Sequence, residues 1–454
     1  MAASHWLFAR RALLAEGWAH DVRLQLSQGY IRSIISNATA QDGDTRLDTL
    51  LPALSNLHSH SFQRAMAGMT EHRAADRESF WTWRELMYRF LEHLTPEHVE
   101  AIAAQVFMEM QEAGYAAVGE FHYVHHQSGG APYDDISELS QRIFAAARDT
   151  GIGLTHLPVL YTYGGAGQKP LAGGQLRFGN DVERFAHLVE ACRKQAREDT
   201  RVGIAPHSLR ATSPADLQHA LPLAGDNPIH IHVAEQPQEV RDIEAWLGAR
   251  PVQWLLDNTS IDTRWCAIHA THMSGAETSG LAGRGAVAGL CPITEANLGD
   301  GPFNGPGWLA AGGAFGIGSD SNVRIALGEE LRTLEYSQRL RDLQRNVMLP
   351  AQGSVGHFLY TQAARGGAQA LGRASGVIAE GKLADLVAIN SDHVALYSLN
   401  TDQILDGMCF AAGPDVVTDV WSAGRHQVRN GRHISRDAIS ARYRKELSSL
   451  LTKL

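Results

Sequence analysis

Between about residue 50 and residue 325 the chain alternates short apolar runs with amphipathic stretches, the rhythm of strand–helix units around a parallel sheet. The runs lie at 49–57, 116–123, 152–160, 202–206, 229–233, 265–268, 286–290 and 314–317. Eight parallel strands predict a closed (β/α)8 TIM barrel of the α/β class. A doubly wound open sheet is the other way to use such strands, but no GxGxxG fingerprint follows the first run. Helices are expected between the runs, as at 96–113, where Thr95 offers an N-cap and Pro96 fits the first helical position. The two ends are patterned differently. Residues 5–48 alternate and turn, as in Val22-Arg23-Leu24 and Tyr30-Ile31-Arg32-Ser33-Ile34, and after a helical stretch at 355–371 the segments 381–389, 416–421 and 428–433 are β-like again. The simplest arrangement joins both ends, 1–49 and 375–454, into a small β-sandwich domain beside a distorted barrel of residues 50–374.

A length of 454 residues suits one large unit with a small companion, and 44% hydrophobic with 20% charged residues excludes disorder, collagen and disulfide scaffolds. The net charge of −9 argues against a nucleic-acid partner. No run approaches the roughly 18 apolar residues of a membrane span. The N-terminal MAASHWLFARRALLAEGW lacks the long apolar core and small-residue cleavage site of a signal peptide. A cytoplasmic protein without a membrane partner is therefore expected. Twenty-two histidines stand against four cysteines (Cys192, Cys266, Cys291, Cys409), none in a CxxC pair, which favours a His/carboxylate metal site over a cysteine cage.

The first barrel run ends Asn56-Leu57-His58-Ser59-His60. Residues i and i+2 of a strand point the same way, so both imidazoles can face one point in the barrel mouth. Alone, HxH is weak, and two partly exposed loop histidines would give the same letters. Other strand ends change the picture. The fifth run ends His230-Ile231-His232-Val233-Ala234-Glu235, the sixth Ala267-Ile268-His269 and the eighth Gly318-Ser319-Asp320-Ser321. A barrel builds its active site at the C-terminal ends of its strands. Two histidines from strand one, one from strand five and an aspartate from strand eight make an N3O donor set, suited to zinc with water completing the sphere.

This combination of HxH, HxxE, sixth-strand His and eighth-strand Asp resembles the amidohydrolase superfamily, and within it the cytosine-deaminase-like branch, whose metal site is usually mononuclear. The segment Glu380-Gly381-Lys382-Leu383-Ala384-Asp385-Leu386-Val387 is similar to a characteristic stretch of that superfamily's small domain, so the likeness spans nearly the whole chain. The resemblance implies His58, His60, His232 and Asp320 as metal ligands. It implies Glu235 as the proton shuttle from the water that becomes a metal-bound hydroxide to a departing nitrogen. His269 would polarise the water and stabilise developing charge, and Asp320 would also accept a proton as the intermediate collapses. Only His232 stands three residues before the glutamate, which leaves His230 as a hydrogen-bonded core histidine. One divalent metal is implied, Zn2+ first, with Fe2+ also accommodated by such donors. Binuclear relatives often use a carboxylated lysine at the end of strand four. The five lysines here are Lys169, Lys194, Lys382, Lys445 and Lys453, and the 202–206 run leads instead into His207-Ser208-Leu209-Arg210.

More particular is the stretch 56–68 (NLHSHSFQRAMAG), taken with Phe80-Trp81-Thr82-Trp83-Arg84-Glu85, 205–210 (APHSLR) and 291–301 (CPITEANLGDG). Together they resemble the formimidoylglutamate deiminase family. That likeness implies hydrolysis of N-formimidoyl-L-glutamate to N-formyl-L-glutamate and ammonia in histidine degradation, by a homodimer acting on a small-molecule dicarboxylate. Arg84 and Arg210 suit the two carboxylates, His207 and Tyr123 can add donors, and Gln63 is placed for the formimidoyl end. The plainer readings are a surface salt bridge for Arg84 and a buried aromatic with a satisfied hydroxyl for Tyr123. His122, His125 and His126 receive no role beyond lining. Two other functions compete: a deaminase of a guanine- or cytosine-like heterocycle on the same scaffold, and a non-catalytic scaffold, which would typically have lost ligands that are all present here.

Overall fold

A computed structural model describes residues 5–71, 80–349 and 352–453. The apolar runs become the barrel strands Leu54–Ser59, Tyr115–His122, Gly153–Leu160, a broken fourth strand (Arg201–Val202 and Ala205–Pro206), Ile229–Val233, Trp265–His269, Val287–Leu290 and Ala314–Ile317. Neighbours pair in parallel within two arcs, strands one to four and five to eight. Single parallel bridges, Ile204 to Ile229 and Ser59 to Asp320, join the arcs and close the ring. The first three strands are buried along their whole length, as strands covered on both faces must be. The break in the fourth strand makes the barrel distorted.

Both chain ends enter one eight-stranded sheet. His5–Leu14, Gly17–Ser27, Tyr30–Ile35 and Thr45–Pro52 lie beside Leu386–Ile389, Val417–Ser422, Arg425–Arg429 and Arg432–His433. All its pairs are antiparallel except His5–Leu14 with Thr45–Pro52. Leu7, Val22, Leu24, Leu50, Leu386 and Trp421 form a core of its own on this sheet. The run 49–57 is divided: its first half finishes Thr45–Pro52, and after Ala53 its second half opens the barrel. An apolar run has the same composition whichever sheet it enters, so pattern alone could not show that the terminal-sheet strand runs on to Pro52.

The helix Pro96–Glu112 begins as expected, with the Thr95 hydroxyl accepting from the His98 N–H and Pro96 in the first turn. Against it lies Arg436–Leu451, a helix not anticipated from the pattern because only Ile439 and Leu450 on it are buried. Ser440 Oγ donates to Gln105 at 3.1 Å and Arg442 pairs with Glu100 at 3.2 Å across that contact. Barrel and terminal sheet are joined by charges. The buried Arg373 guanidinium holds both oxygens of Asp385, whose Oδ1 also accepts from the Ala423 N–H at 2.7 Å. Asp199, just before the fourth strand, accepts from Arg425. No helix among the described residues is long and apolar enough to cross a membrane.

Candidate active site

The barrel mouth is set by backbone contacts between the first and eighth strands. Asp320 N donates to His58 O and His60 N to Asp320 O, each at 2.9 Å. The Asn56 side chain spans to Ser319, donating to its Oγ at 2.6 Å and accepting from its N–H at 3.1 Å. Gly318 allows this approach, since a Cβ there would stand 2.7 Å from His58 O. Ala234, His269 and Asp320 have left-handed φ of 52°, 66° and 46° without being glycine. Such backbone costs of order 1–3 kcal/mol per residue and persists where surrounding contacts impose it, as they do at these strand ends.

His58, His60 and His232 are buried and present ring nitrogens within 4.8 Å of one another. His60 Nδ1 donates to Phe121 O at 2.9 Å and His232 Nδ1 to His207 O at 3.2 Å, so in each ring the Nε2 lone pair faces inward. His58 Nε2 lies 3.1 Å from His232 Nε2 and 3.4 Å from Asp320 Oδ1, and His60 Nε2 lies 3.3 Å from the same oxygen. Donor atoms about 2.1 Å from a shared tetrahedral centre stand roughly 3.4 Å apart, so these separations fit a divalent cation. The protonation states agree. Burial pushes His58 down to about 3 and lowers His60 and His232, keeping the imidazoles neutral. Burial raises Asp320, but the hydrogen bond to His58 and the nearness of the His58, His60 and His269 rings outweigh it and hold the carboxyl below its usual range.

Beside this cluster stand Glu235 and His269. His269 Nε2 is 3.7 Å from Glu235 Oε1 and 3.9 Å from Asp320 Oδ2, while its Nδ1 donates to Glu295 Oε1 at 3.2 Å. Burial raises Glu235, so that it can hold a proton as well as release one. Its backbone is fixed by Glu239, whose carboxylate accepts the N–H groups of Ala234 and Glu235, each at 3.1 Å.

Above lies a pocket of about 570 Å³ lined by His60, His232, Glu235, His269 and Asp320 on the cluster side, and by Gln63, Arg84, Tyr123, His207 and Arg210 around the rest. His58 lies beneath, fully buried. Arg84 is in this wall, and its Nη2 donates to Tyr161 OH at 2.9 Å. The side chains of Phe80, Trp81, Thr82, Trp83 and Glu85 lie outside the described residues. Arg210 Nη2 is 3.8 Å from Glu235 Oε2. Gln63 Nε2 donates to Tyr123 OH at 2.8 Å, and its buried Oε1 has no hydrogen-bond partner among the described residues. His230 points away from the site and bonds Ala370 O at 2.7 Å. His125 and His126 bond backbone carbonyls, Val159 O at 3.0 Å and Gly179 O at 2.8 Å, and with His122 are absent from the pocket lining.

Comparison with known proteins identifies the scaffold. Residues 49–426 match the Amidohydrolase family. This chain is an amidohydrolase. Residues 4–48 match the family described as "Formimidoylglutamate deiminase HutF, N-terminal domain". The amidohydrolase is 48% identical to the formimidoylglutamate deiminase of Pseudomonas aeruginosa over 98% of this chain and 99% of that one, which places it in the formimidoylglutamate deiminase family. It superposes on the crystal structure of an amidohydrolase from Brucella melitensis with a TM-score of 0.95 and 49% identity, covering 98% of this chain and 100% of that one. An adenosine deaminase from Xanthomonas campestris with bound zinc has a TM-score of 0.82 at 24% identity, covering 98% of each chain; this likeness concerns the fold alone.

Several residues in the pocket wall of the amidohydrolase, or supporting it from behind, escaped the motif reading. Glu239 stands four residues after Glu235 and Glu295 lies inside the CPITEANLGDG stretch, but nothing in the letters says which backbone or ring each carboxylate meets. Met87, Tyr161 and Phe178 line the pocket itself. Tyr161 directly follows the third strand, a position where side chains reach the barrel mouth.

Proposed function

We propose that this amidohydrolase hydrolyses N-formimidoyl-L-glutamate to N-formyl-L-glutamate and ammonia, a step of histidine degradation. The observation that carries the reading is the pairing of one inward-facing His3Asp cluster with two arginines, Arg84 and Arg210, in the wall of the same pocket. A dianion with a small amidine end matches that division of charge. The relative from Pseudomonas aeruginosa carries this activity in its name.

His58, His60, His232 and Asp320 would hold one divalent cation, and zinc fits the three imidazoles and one carboxylate. Bound there, it supplies Lewis acidity that lowers the pKa of water from 15.7 to about 7. The formimidoyl group enters as its amidinium cation, so when Glu235 takes a proton from the attacking water and delivers it to the departing nitrogen, water adds at the formimidoyl carbon and ammonia leaves. His269 Nε2 faces the same space and stabilises charge at the reacting carbon. Asp320 Oδ2, 3.9 Å from His269, can receive the remaining proton as the C=O of the formyl group forms. Arg84 and Arg210 orient the carboxylates, with His207 and Tyr123 as further donors, and the unpartnered Gln63 Oε1 accepts from a substrate N–H. We further propose that residues 50–374 carry the chemistry and that 1–49 with 375–454 brace it. A reducing, cytoplasmic compartment suits the four free, buried cysteines.

The test compares N-formimidoyl-L-glutamate, N-formimidoylglycine and adenosine with the metal-loaded protein. Turnover should fall steeply from the first to the second, which lacks one carboxylate, and be absent with adenosine. Preferential turnover of adenosine would instead identify a heterocycle deaminase.

A further inference from the structure

We infer that Glu295 is a positioning residue of this active site, acting through His269; the inference deepens the proposed function and rests on it. His269 closes the sixth barrel strand with its backbone in the left-handed region, and its ring is buried. One nitrogen, Nε2, looks into the pocket at Glu235 and Asp320. The other, Nδ1, looks away from it, to Glu295 Oε1 at 3.2 Å. That oxygen is itself anchored, because it accepts the Cys291 N–H at 2.8 Å. Glu295 rides on the short helix Pro292–Leu298 that follows the seventh strand, and is buried. Strand seven therefore supplies a fixed carboxylate behind an imidazole that strand six offers to the substrate.

The consequence is a proton fixed on Nδ1 and a fixed ring angle, in the neutral ring and in the imidazolium alike. A lone pair on Nδ1 would confront the carboxylate oxygen, whereas an N–H there makes a charge-assisted hydrogen bond. Glu295 thus keeps the proton on Nδ1 and leaves Nε2 as the atom that exchanges hydrogen bonds with the reacting groups. A carboxylate behind a catalytic imidazole performs this service in acid–base dyads generally. The Cys291 thiol also belongs to this cluster, with its sulfur and the His269 and Glu295 donor atoms within 4.8 Å of one another. A thiophilic cation is the other occupant such a trio offers. The hydrogen bond already uses the imidazole and carboxylate as donor and acceptor, and favours orientation.

The experiment is a double-mutant cycle on ammonia release from N-formimidoyl-L-glutamate. Wild type, Glu295→Gln, His269→Asn and the double variant are each assayed with metal content measured. Glu295→Gln retains an oxygen for the Cys291 N–H but loses the charge. It should lower kcat about 10- to 100-fold with KM little changed, and the double variant should be no slower than His269→Asn alone. Losses that multiply, a rise in KM at unchanged kcat, or a second bound metal per chain that Cys291→Ser removes would each overturn the inference. Should Glu295→Gln fail to fold, Glu295→Asp takes its place in the same cycle, with the same non-additivity expected and multiplying losses contradicting it. Absence of ammonia from the metal-loaded wild type would count against the substrate reading alone. The inference is then decided by the 15N resonances of the His269 ring, assigned by their loss in His269→Asn. A protonated Nδ1 whose resonance moves in the Glu295 variant supports it, and resonances unchanged by that variant overturn it.

Discussion

Glu235 and Arg210 face each other across 3.8 Å in the pocket wall, one group proposed to move protons and the other to hold a carboxylate. Their replacement should separate these tasks. Glu235→Gln keeps the shape of the site and removes the shuttle, so kcat should drop about 100- to 10,000-fold while the metal stays bound, as steady-state kinetics and metal analysis will measure. Loss of metal along with activity would mean that Glu235 serves the cation site. Arg210→Met removes a charge-assisted contact of about 1.5–3 kcal/mol, a fall of roughly 10- to 150-fold in kcat/KM. An unchanged kcat/KM would reject the carboxylate assignment. Motifs made these two residues visible because each chemistry demands a particular side chain at a strand end. Glu239 and Glu295 stayed hidden because they act on a backbone turn and on another side chain, and nothing in the letters marks a buried carboxylate as the partner of either. Their identity as partners is a property of packing.

Among the elements, the tie between the broken fourth strand and the terminal sheet is the most exposed to test. Asp385 belongs to a segment singled out by resemblance, and the structure gives it a physical task, to neutralise the buried Arg373 and to accept the Ala423 N–H. Asp385→Ala strands that guanidinium and should cost about 3–5 kcal/mol, read as a lowered urea midpoint. A midpoint within error of wild type would contradict this role. Asp199 adds a pH dependence. Burial pushes its carboxyl up, but Arg425, Arg373 and Arg197 outweigh burial and hold it below the ordinary range. A folded-state value depressed in this way gives stability that is complete above the unfolded value near about 3.9 and is lost as pH falls through the folded one. The difference in urea midpoint between wild type and Asp199→Asn should therefore be constant above about pH 5 and shrink below about pH 4; a difference that persists unchanged into the more acidic range would contradict it. The barrel strands were legible because burial on both faces makes apolar runs. The helix Arg436–Leu451 was not, since it buries little and its partner lies more than three hundred residues earlier, on Pro96–Glu112. The boundary inside 49–57 was hidden for the opposite reason, two apolar strands in succession.

For the molecule as a whole, the first, fifth and eighth strands meet at the proposed cation site, so metal, fold and activity should be coupled. Chelation should abolish turnover and lower the thermal midpoint, and one equivalent of zinc per chain should restore both. A need for two equivalents would contradict the single site read from His58, His60, His232 and Asp320. The net charge of −9 does not oppose an anionic substrate, because Arg84 and Arg210 set the local field inside the pocket. The account stands most directly on the products formed from N-formimidoyl-L-glutamate by the zinc-loaded protein, followed by an ammonia assay and by chromatography of the same sample. Equimolar ammonia and N-formyl-L-glutamate are expected. Formamide and glutamate, or no product with one metal bound, would contradict it.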